Sequence, residues 1–212
     1  MLLRETFPVG SFACNCTVLA CGDTKEAIII DPGGSADKIA EICAHYHLEV
    51  KAIIHTHAHL DHIYNTRDVK ETHGGDICLH KEDLFLYDGI KQQAAMFGWE
   101  PREVLPVDRY VDHDDEIVFG KDKALVIHTP GHTPGSICFQ VEHEGKSMLF
   151  AGDTLFRRSI GRTDLPGGDS KQIAESIRDR LYSLRPDTLV IPGHGENTSI
   201  EEEAAKNPFV SA

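Results

Sequence analysis

Short apolar runs bounded by turn-forming residues recur along the chain and predict β-strands. The turns contain pairs such as Gly22-Asp23 and Pro32-Gly33, and Gly, Asp and Pro are typical of strand boundaries. The predicted strands cover residues 16–20, 27–30, 50–54 and 77–79 in the first half, and residues 116–119, 124–128, 136–141, 147–150 and 188–191 in the second. The strands therefore fall into two blocks.

Segments with a helical period lie between and after the strands. Ser35 is predicted to cap a helix that runs to about His47, since Ile39, Ile42 and Cys43 then share one face. Further helices are predicted from residues 61–65 to residue 73, over residues 170–184 and over residues 199–206.

The stretch from residue 81 to residue 109 does not continue this alternation. It contains apolar residues without a strand period, among them Trp99, and Pro101 and Pro106 interrupt it. Because proline ends helices, we predict a helical insertion followed by a loop.

The ends of the predicted strands in the two blocks show an internal similarity. A strand in each block ends on an aspartate, at Asp31 and Asp153, and a later strand in each block ends close to a histidine, at His57 and His194. This similarity predicts two similar halves that pack sheet against sheet, with the helices outside.

The composition narrows the function classes. With 212 residues and no Pro-, Gly- or Ser-rich linker, residues 1–212 are predicted to form a single domain. The formal net charge of −13 argues against a nucleic-acid partner, which would need clustered basic residues. No stretch approaches the ~20 apolar residues of a membrane-spanning helix, and the N-terminus lacks a signal-peptide pattern. We therefore expect no membrane partner and a cytoplasmic location, while the oligomeric state is not indicated.

The six cysteines form no C-x-x-C pair and lie mostly in apolar segments. A chain of this length does not need disulfides, so we expect reduced cysteines that pack in the core. The 13 histidines are more informative because of their arrangement.

Four residues that can bind metals lie in the segment His-Ala-His-Leu-Asp-His at positions 57–62, directly after a predicted strand. In an extended chain, residues two apart point to the same side, so His57 and His59 can converge on one ion. Asp61 and His62 lie where the chain turns into a helix and can face a second ion. Imidazole and carboxylate ligands suit Zn, Fe or Mn. A polar loop that happens to be rich in histidine is the alternative interpretation.

Three further residues follow predicted strands and are flanked by glycine. His132 lies in Pro-Gly-His-Thr-Pro-Gly, Asp153 in Gly-Asp-Thr and His194 in Pro-Gly-His-Gly. Glycine lets the backbone turn sharply where a ligand must face a site. Each segment alone is equally well explained as a structural turn, but together with the first motif they predict a shared metal centre.

Two more segments complete the series, Gly-Asp-Thr-Leu-Phe at residues 152–156 and Gly-Arg-Thr-Asp at residues 161–164. The whole series resembles the metallo-β-lactamase-fold hydrolases, and within them the glyoxalase II-like group. The ending Lys-Asn-Pro-Phe at residues 206–209 resembles the compact bacterial type, which lacks a C-terminal helical domain. The resemblance implies an α/β fold, an αββα four-layer sandwich of two mixed β-sheets flanked by helices.

The resemblance also implies roles for individual residues. The ligands that it implies are His57, His59 and His132 for a first ion, Asp61, His62 and His194 for a second, and Asp153 as a bridge. Asp61 is also a candidate to orient the attacking hydroxide, and Asp31 matches a position that supports the site without binding metal. His55 and His128 fall outside the motif frame.

For function, the resemblance implies a metal-dependent hydrolase of a small-molecule thioester such as S-lactoylglutathione. Two divalent ions are implied, most readily Zn, with Fe or Mn as alternatives. Two ions that share a water lower its pKa to roughly 7, and the resulting bridging hydroxide attacks the carbonyl carbon. A thiolate leaving group, with a pKa of about 8.5, needs little acid assistance.

Contacts to the substrate are less clearly marked in the sequence. Arg162 matches a position at which the family contacts the glutathione carboxylate, and Arg suits a bidentate contact. An ion pair with Asp164 is the alternative role. Phe156, Met96 and Phe97 are candidates for the pocket wall, with core packing as the alternative.

Other functions remain open at this stage. A persulfide dioxygenase, which uses a single iron bound by two His and one Asp, shares the Gly-Arg-Thr-Asp segment at residues 161–164. A hydrolase of another ester or lactone, or of a β-lactam, would use the same ligands. A metal-binding protein without enzymatic activity is the remaining alternative.

Overall fold

In the computed structural model, which describes all 212 residues, two six-stranded mixed β-sheets form the centre of the protein. The first sheet contains, in this order, β1 (Leu2–Val9), β2 (Cys14–Cys21), β3 (Glu26–Ile30), β4 (Glu49–Ile54), β5 (Asp76–Leu79) and β6 (Arg109–Tyr110). The strands β1 to β3 pair antiparallel, and β3 to β6 pair parallel.

The second sheet is largely antiparallel. Its strands are β7 (Glu116–Phe119), β8 (Asp122–His128), β9 (Ile137–His143), β10 (Lys146–Gly152), β13 (Leu189–Pro192) and β14 (Thr198–Ser199). They lie in the order β14-β13-β10-β9-β8-β7, and only β10 and β13 pair parallel. The strands β11 (Leu155–Phe156) and β12 (Ser159–Ile160) form a separate small hairpin.

Seven α-helices connect or follow these strands. They are α1 (Ala36–Tyr46), α2 (Leu60–Ile63), α3 (Thr66–His73), α4 (Leu84–Asp88), α5 (Ile90–Phe97), α6 (Ser170–Ser176) and α7 (Ile200–Lys206). A 3-10 turn at Lys81–Asp83 precedes α4, and a π-helical turn at Ile177–Leu181 continues α6. Helices therefore occupy most of residues 81–97, and residues 98–108 follow as a loop, which confirms the predicted insertion.

Three hydrophobic clusters define the layers. Ile54 of the first sheet and Phe139 of the second belong to one cluster, which fills the space between the sheets. Ile39 of α1 packs with residues of the first sheet in a second cluster, and Ile173 of α6 packs with residues of the second sheet in a third. Burial of apolar surface on both faces of each sheet stabilises this arrangement. The predicted αββα sandwich is confirmed.

Five strands were not predicted from the sequence: the long strand β1 and the two-residue strands β6, β11, β12 and β14. The strand β1 pairs with β2 over its full length, although Arg4 and Glu5 interrupt its apolar pattern and Pro8 cannot donate a backbone hydrogen bond. Both features are tolerated because β1 lies at the edge of the sheet, where one side of the strand faces solvent. The strand β6 has only two residues, too few to leave a pattern.

Two predicted helices differ in detail. Ser35 does precede α1, but it has a φ of +54° and its side chain makes no capping hydrogen bond. The helix predicted to end at His73 is divided into α2 and α3, because the Asn65 N–H donates to the Pro32 carbonyl outside the helix.

All six cysteines are free and buried, and each belongs to one of the three core clusters. The expectation of reduced packing residues is confirmed. No helix combines the length and apolar character that a membrane span requires.

Candidate metal centre

The candidate site lies where two pairs of parallel strands end. In the first sheet β3 leads to Asp31 and β4 leads to His57, and in the second sheet β10 leads to Asp153 and β13 leads to His194. Parallel strands place the residues that follow them at the same edge of a sheet. His132 joins them from the loop between β8 and β9. The two sheets thus contribute matching pairs of polar residues to one edge of the sandwich.

Three histidines converge at this edge and are called the three-histidine cluster: His57, His59 and His132. The Nε2 atom of His132 lies 2.9 Å from Nδ1 of His59 and 3.2 Å from Nε2 of His57. Ring nitrogens this close with facing lone pairs need a proton or a cation between them. The geometry therefore matches three ligands of one ion.

The other half of the site, called the mixed cluster, consists of Asp61, His62 and His194. The Oδ2 atom of Asp61 lies 3.1 Å from Nε2 of His194 and 3.6 Å from Nε2 of His62. His62 is fully buried, whereas the side chain of His194 is 28% exposed. This half therefore combines carboxylate and imidazole donors and is open to solvent on one side.

Asp153 lies between the two clusters. Its Oδ1 atom faces the mixed cluster, 3.4 Å from Nε2 of His62 and 3.7 Å from Nε2 of His194. Its Oδ2 atom faces the three-histidine cluster, 3.7 Å from Nε2 of His132. One carboxylate thus offers one oxygen to each cluster, the geometry expected of a bridging ligand.

Two buried polar atoms at the site have no hydrogen-bond partner. They are Nε2 of His62 and Oδ1 of Asp153, which face each other. An unpaired buried polar atom is costly, and a cation at this point would satisfy both. The nitrogen and oxygen donors present are those that Zn, Fe and Mn use, so the residues fit two divalent ions.

Burial and charge set the protonation of the cluster residues. Burial lowers the pKa of His57 well below its ordinary value, and burial together with the neighbouring His132 lowers the pKa of His59 to about 3. His57 and His59 are therefore neutral, which is the form that binds metal. Burial also opposes the charged form of His62, but acidic groups beside it, among them Asp61, raise its pKa well above the ordinary value.

The second nitrogen of several rings is held by the protein. Nδ1 of His132 donates to the Arg162 carbonyl at 2.7 Å, and Nδ1 of His194 donates to the Phe12 carbonyl at 3.0 Å. Such bonds fix the tautomer and the orientation of a ligating histidine. Local sequence could not reveal these partners, because backbone carbonyls carry no residue-type signal.

Asp31 holds His62 in the same way. Its Oδ2 lies 3.0 Å from Nδ1 of His62, and its two oxygens accept hydrogen bonds from the N–H and the hydroxyl of Thr56. The structure thus places Asp31 behind His62. Cys14 was not predicted near the site, yet its Sγ lies 3.5 Å from the same His62 nitrogen, and burial raises the pKa of its thiol to about 12.

A cavity of about 410 Å³ opens beside both clusters. Its walls contain Phe12, Leu60, Gln93, Phe97 and Leu165 in addition to cluster residues and Arg162. Of the three pocket candidates taken from the sequence, only Phe97 lines the cavity. Met96 is 73% exposed and Phe156 lies behind His194, with 6.4 Å between their ring centres. Phe12, Gln93 and Leu165 were missed because Phe12 and Leu165 lie in loops and Gln93 is a polar residue of α5, so hydrophobic periodicity gave no signal for any of them.

Arg162 lies on the wall of the cavity, but its guanidinium is engaged elsewhere. Its Nε and Nη2 atoms donate to the two carboxylate oxygens of Asp164, each at 2.7 Å. The guanidinium is exposed, so it can exchange this partner for another carboxylate.

The excluded histidines do lie outside the two clusters. His55 is buried beside Thr66, and burial lowers its pKa to about 4. His128 stacks on His80, with ring centres 4.1 Å apart, and its Nε2 donates to the Pro134 carbonyl. Neither residue contributes a ring to the three-histidine cluster or to the mixed cluster.

Comparison with known proteins places this geometry in context. The sequence pattern of the Metallo-beta-lactamase superfamily matches residues 9–194. The chain is 38% identical over 210 residues to the hydroxyacylglutathione hydrolase GloC of Haemophilus influenzae, an alignment that covers 98% of each protein.

Solved structures show the same fold. The structure of the B3 metallo-beta-lactamase BLEG-1 superposes with a TM-score of 0.89 at 36% identity, covering 99% of this chain and 100% of that one. The structure of TTHA1623 in a di-iron-bound form superposes with a TM-score of 0.86 at 35% identity, covering 97% of this chain and 100% of that one.

Proposed function

The chain belongs to the metallo-β-lactamase superfamily, and we propose that it is a binuclear metal-dependent hydrolase of a small-molecule thioester such as S-lactoylglutathione. The observation that carries the binuclear site is the position of Asp153, with one carboxylate oxygen towards each cluster. In this proposal the three-histidine cluster would hold a first ion and the mixed cluster a second, and Asp153 would be available to both.

Two divalent ions held in this way supply an activated water at neutral pH and polarise the carbonyl that is attacked. The remaining work falls to the residues of the chain. Asp61 lines the cavity and is 14% exposed, so its carboxylate can accept a hydrogen bond from the attacking water and orient it. His132 and His194 keep their orientation through the carbonyls behind them.

The cavity wall favours attack by water over a covalent route. It contains no Ser, Cys or Lys side chain that could act as a nucleophile. Phe12, Phe97 and Leu165 give it an apolar side against which an acyl group can pack. A thiolate leaves with a pKa of about 8.5, so the absence of a dedicated acid from the wall suits a thioester better than an amide.

Two further observations support the substrate and the metal. The relative GloC is named as a hydroxyacylglutathione hydrolase, and the similarity extends over nearly the whole of both chains. The donor set of imidazoles and carboxylates suits Zn, which we propose as the metal. The di-iron form of TTHA1623 makes iron the alternative to test.

The proposal is tested by loading metal-free protein with Zn²⁺, Fe²⁺ or Mn²⁺. Each form is then analysed for metal content and for cleavage of S-lactoylglutathione, oxygen uptake with glutathione persulfide, and opening of a β-lactam. We expect about two ions per chain and thioester cleavage. Oxygen uptake with a single iron, or β-lactam opening without thioester cleavage, would contradict the proposal. An Asp153→Asn preparation controls for contaminating hydrolases.

A further inference from the structure

Asp83 has a carboxylate that belongs to neither cluster and yet is completely buried, with 0% of the residue exposed. It ends the 3-10 turn at Lys81–Asp83, the first part of the helical insertion. Burying a carboxylate is costly unless hydrogen bonds satisfy its oxygens. Its partners therefore show what the buried carboxylate contributes to the structure.

The carboxylate of Asp83 joins two loops that carry ligands. Its Oδ2 accepts hydrogen bonds from the N–H of Ala58 at 2.8 Å and from the hydroxyl of Thr133 at 2.9 Å. Ala58 lies between His57 and His59, and Thr133 directly follows His132. One oxygen atom thus contacts the immediate neighbours of all three members of the three-histidine cluster.

The other oxygen of Asp83 strengthens the same connection. Its Oδ1 accepts from the N–H of Gly135 at 2.7 Å, in the loop that carries His132. A Cβ atom at Gly135 would lie 2.7 Å from that oxygen and 2.6 Å from the backbone nitrogen of Asp83. The second glycine of Pro-Gly-His-Thr-Pro-Gly is thus required for the loop to approach Asp83.

The two joined loops come from different sheets. His57 and His59 follow β4 of the first sheet, whereas His132 lies between β8 and β9 of the second. The distances of 2.9 and 3.2 Å within the three-histidine cluster therefore depend on how the sheets are held together at this edge. A small change in ligand spacing weakens metal binding, because each metal–nitrogen distance is fixed within about 0.2 Å.

We propose that Asp83 is a positioning residue that sets the spacing between the two loops of the three-histidine cluster and so determines the affinity of the first ion. The assignment rests on the proposed function for the presence of that ion, but not for the identity of the substrate.

Glu203 provides a matched control. It is also 0% exposed, and it accepts hydrogen bonds from the hydroxyl of Thr198, the amide of Asn207 and the N–H of Arg158. It lies on α7 and does not line the cavity beside the clusters. Asp83→Asn and Glu203→Gln therefore make the same chemical change at two buried carboxylates, of which only Asp83 contacts the loops of the three-histidine cluster.

The experiment measures Zn²⁺ affinity of the full chain by competition with a chromophoric chelator, together with the melting temperature. In Asp83→Asn we expect one of the two ions to bind about 10- to 100-fold more weakly, the range known for residues that support ligands. In Glu203→Gln we expect a lower melting temperature with both affinities unchanged. Unchanged affinities in Asp83→Asn, or equal weakening in the two variants, would overturn the assignment.

A milder pair of variants decides the question if Asp83→Asn does not fold. Thr133→Val removes one of the three hydrogen bonds to Asp83, together with the hydrogen bond between the Thr133 and Ser136 hydroxyls, and should weaken one ion about 2- to 10-fold. Thr133→Ser keeps the hydroxyl and should restore the affinity. Equal affinities in these two variants would contradict the proposal. Because the readout is Zn²⁺ binding alone, a wild-type protein that binds two ions but cleaves no thioester would refute the substrate and leave this assignment standing.

Discussion

The three-histidine cluster and the mixed cluster share Asp153 but differ in charge and exposure. His57 and His132 are 1% and 2% exposed and belong to a cluster without a carboxylate of its own. The mixed cluster contains Asp61, and its His194 is 28% exposed. An ion in the three-histidine cluster would therefore be held by imidazole donors alone, whereas an ion in the mixed cluster would also be held by a carboxylate charge.

This difference assigns separate tasks to the two halves. Asp83 and the Arg162 carbonyl hold the loops and rings of the three-histidine cluster from behind, so that cluster is preorganised. Both clusters adjoin the cavity, but the side chain of His194 in the mixed cluster is 28% exposed, so an ion bound there would exchange with solvent and meet substrate more readily. We expect substitutions around the three-histidine cluster to alter metal binding by changing the spacing of its ligands. Substitutions in the mixed cluster should instead alter whether an ion is bound there.

The strongest test removes the residue that the two halves share. Asp153→Asn takes away the charge that faces both clusters, so we expect loss of both ions and a fall in kcat/KM for S-lactoylglutathione of at least about 10³-fold. Metal analysis and steady-state kinetics measure the two effects. A variant that kept two ions and lost less than tenfold would show that Asp153 is not the bridge.

The next test separates the halves. His194→Ala removes the most exposed ligand of the mixed cluster and leaves the three histidines intact, so we expect about one ion per chain and roughly 10²-fold lower activity. His59→Ala is the counterpart in the other cluster and should lose the ion that His194→Ala retains. If both variants lost both ions, the two clusters would form one cooperative unit rather than two sites.

A smaller effect is expected at Asp31, which contacts His62 of the mixed cluster without belonging to that cluster. Asp31→Asn weakens the contact to Nδ1 of His62, and we expect the second ion to bind about 10- to 100-fold more weakly while the first is unchanged. Zn²⁺ competition measures both affinities. Together with Asp83→Asn this makes a crossed pair, since each variant should affect only the cluster that it supports. If Asp31→Asn also weakened binding of the first ion, the two clusters would not be supported independently.

The same comparison shows what sequence patterns can and cannot predict. His57, His59, Asp61 and His62 could be predicted because one short segment places them together after an apolar strand. Asp83 could not, because its three partners are 25 to 52 residues away along the chain and its own neighbours show no motif. The proposed ligands could be predicted from local spacing, whereas the groups that hold them depend on contacts between distant segments.

The strands, too, could be predicted where the signal is local and not where it depends on distant segments. Strands buried on both faces, such as β2 and β3, appear as apolar runs and were predicted. The edge strand β1 was missed because its pairing with β2, and not its own composition, places it in the sheet. In the cavity, Gln93 was missed because its side chain is held by the N–H of Leu60 and the carbonyl of Ala58. These groups are its neighbours in space but lie 33 and 35 residues before it in the sequence.

The smallest expected effect lies outside both clusters, at Arg162. Its guanidinium binds Asp164 on the cavity wall, so a substrate carboxylate must compete with an existing partner. We expect Arg162→Ala to raise the KM for S-lactoylglutathione by no more than about tenfold with kcat unchanged, because the contact is remote from the scissile bond and is made equally before and during the reaction.

Asp164→Asn sharpens this last prediction because it releases the guanidinium without removing it. If Arg162 binds the substrate, freeing it should lower the KM, whereas Arg162→Ala should raise it, and a substrate analogue without the carboxylate should respond to neither change. If the ion pair serves only to hold the loop, both variants should act in the same direction on every substrate. Changes in KM of opposite direction in the two variants would thus show that Arg162 recognises the substrate on the cavity wall, independently of the geometry of the two clusters.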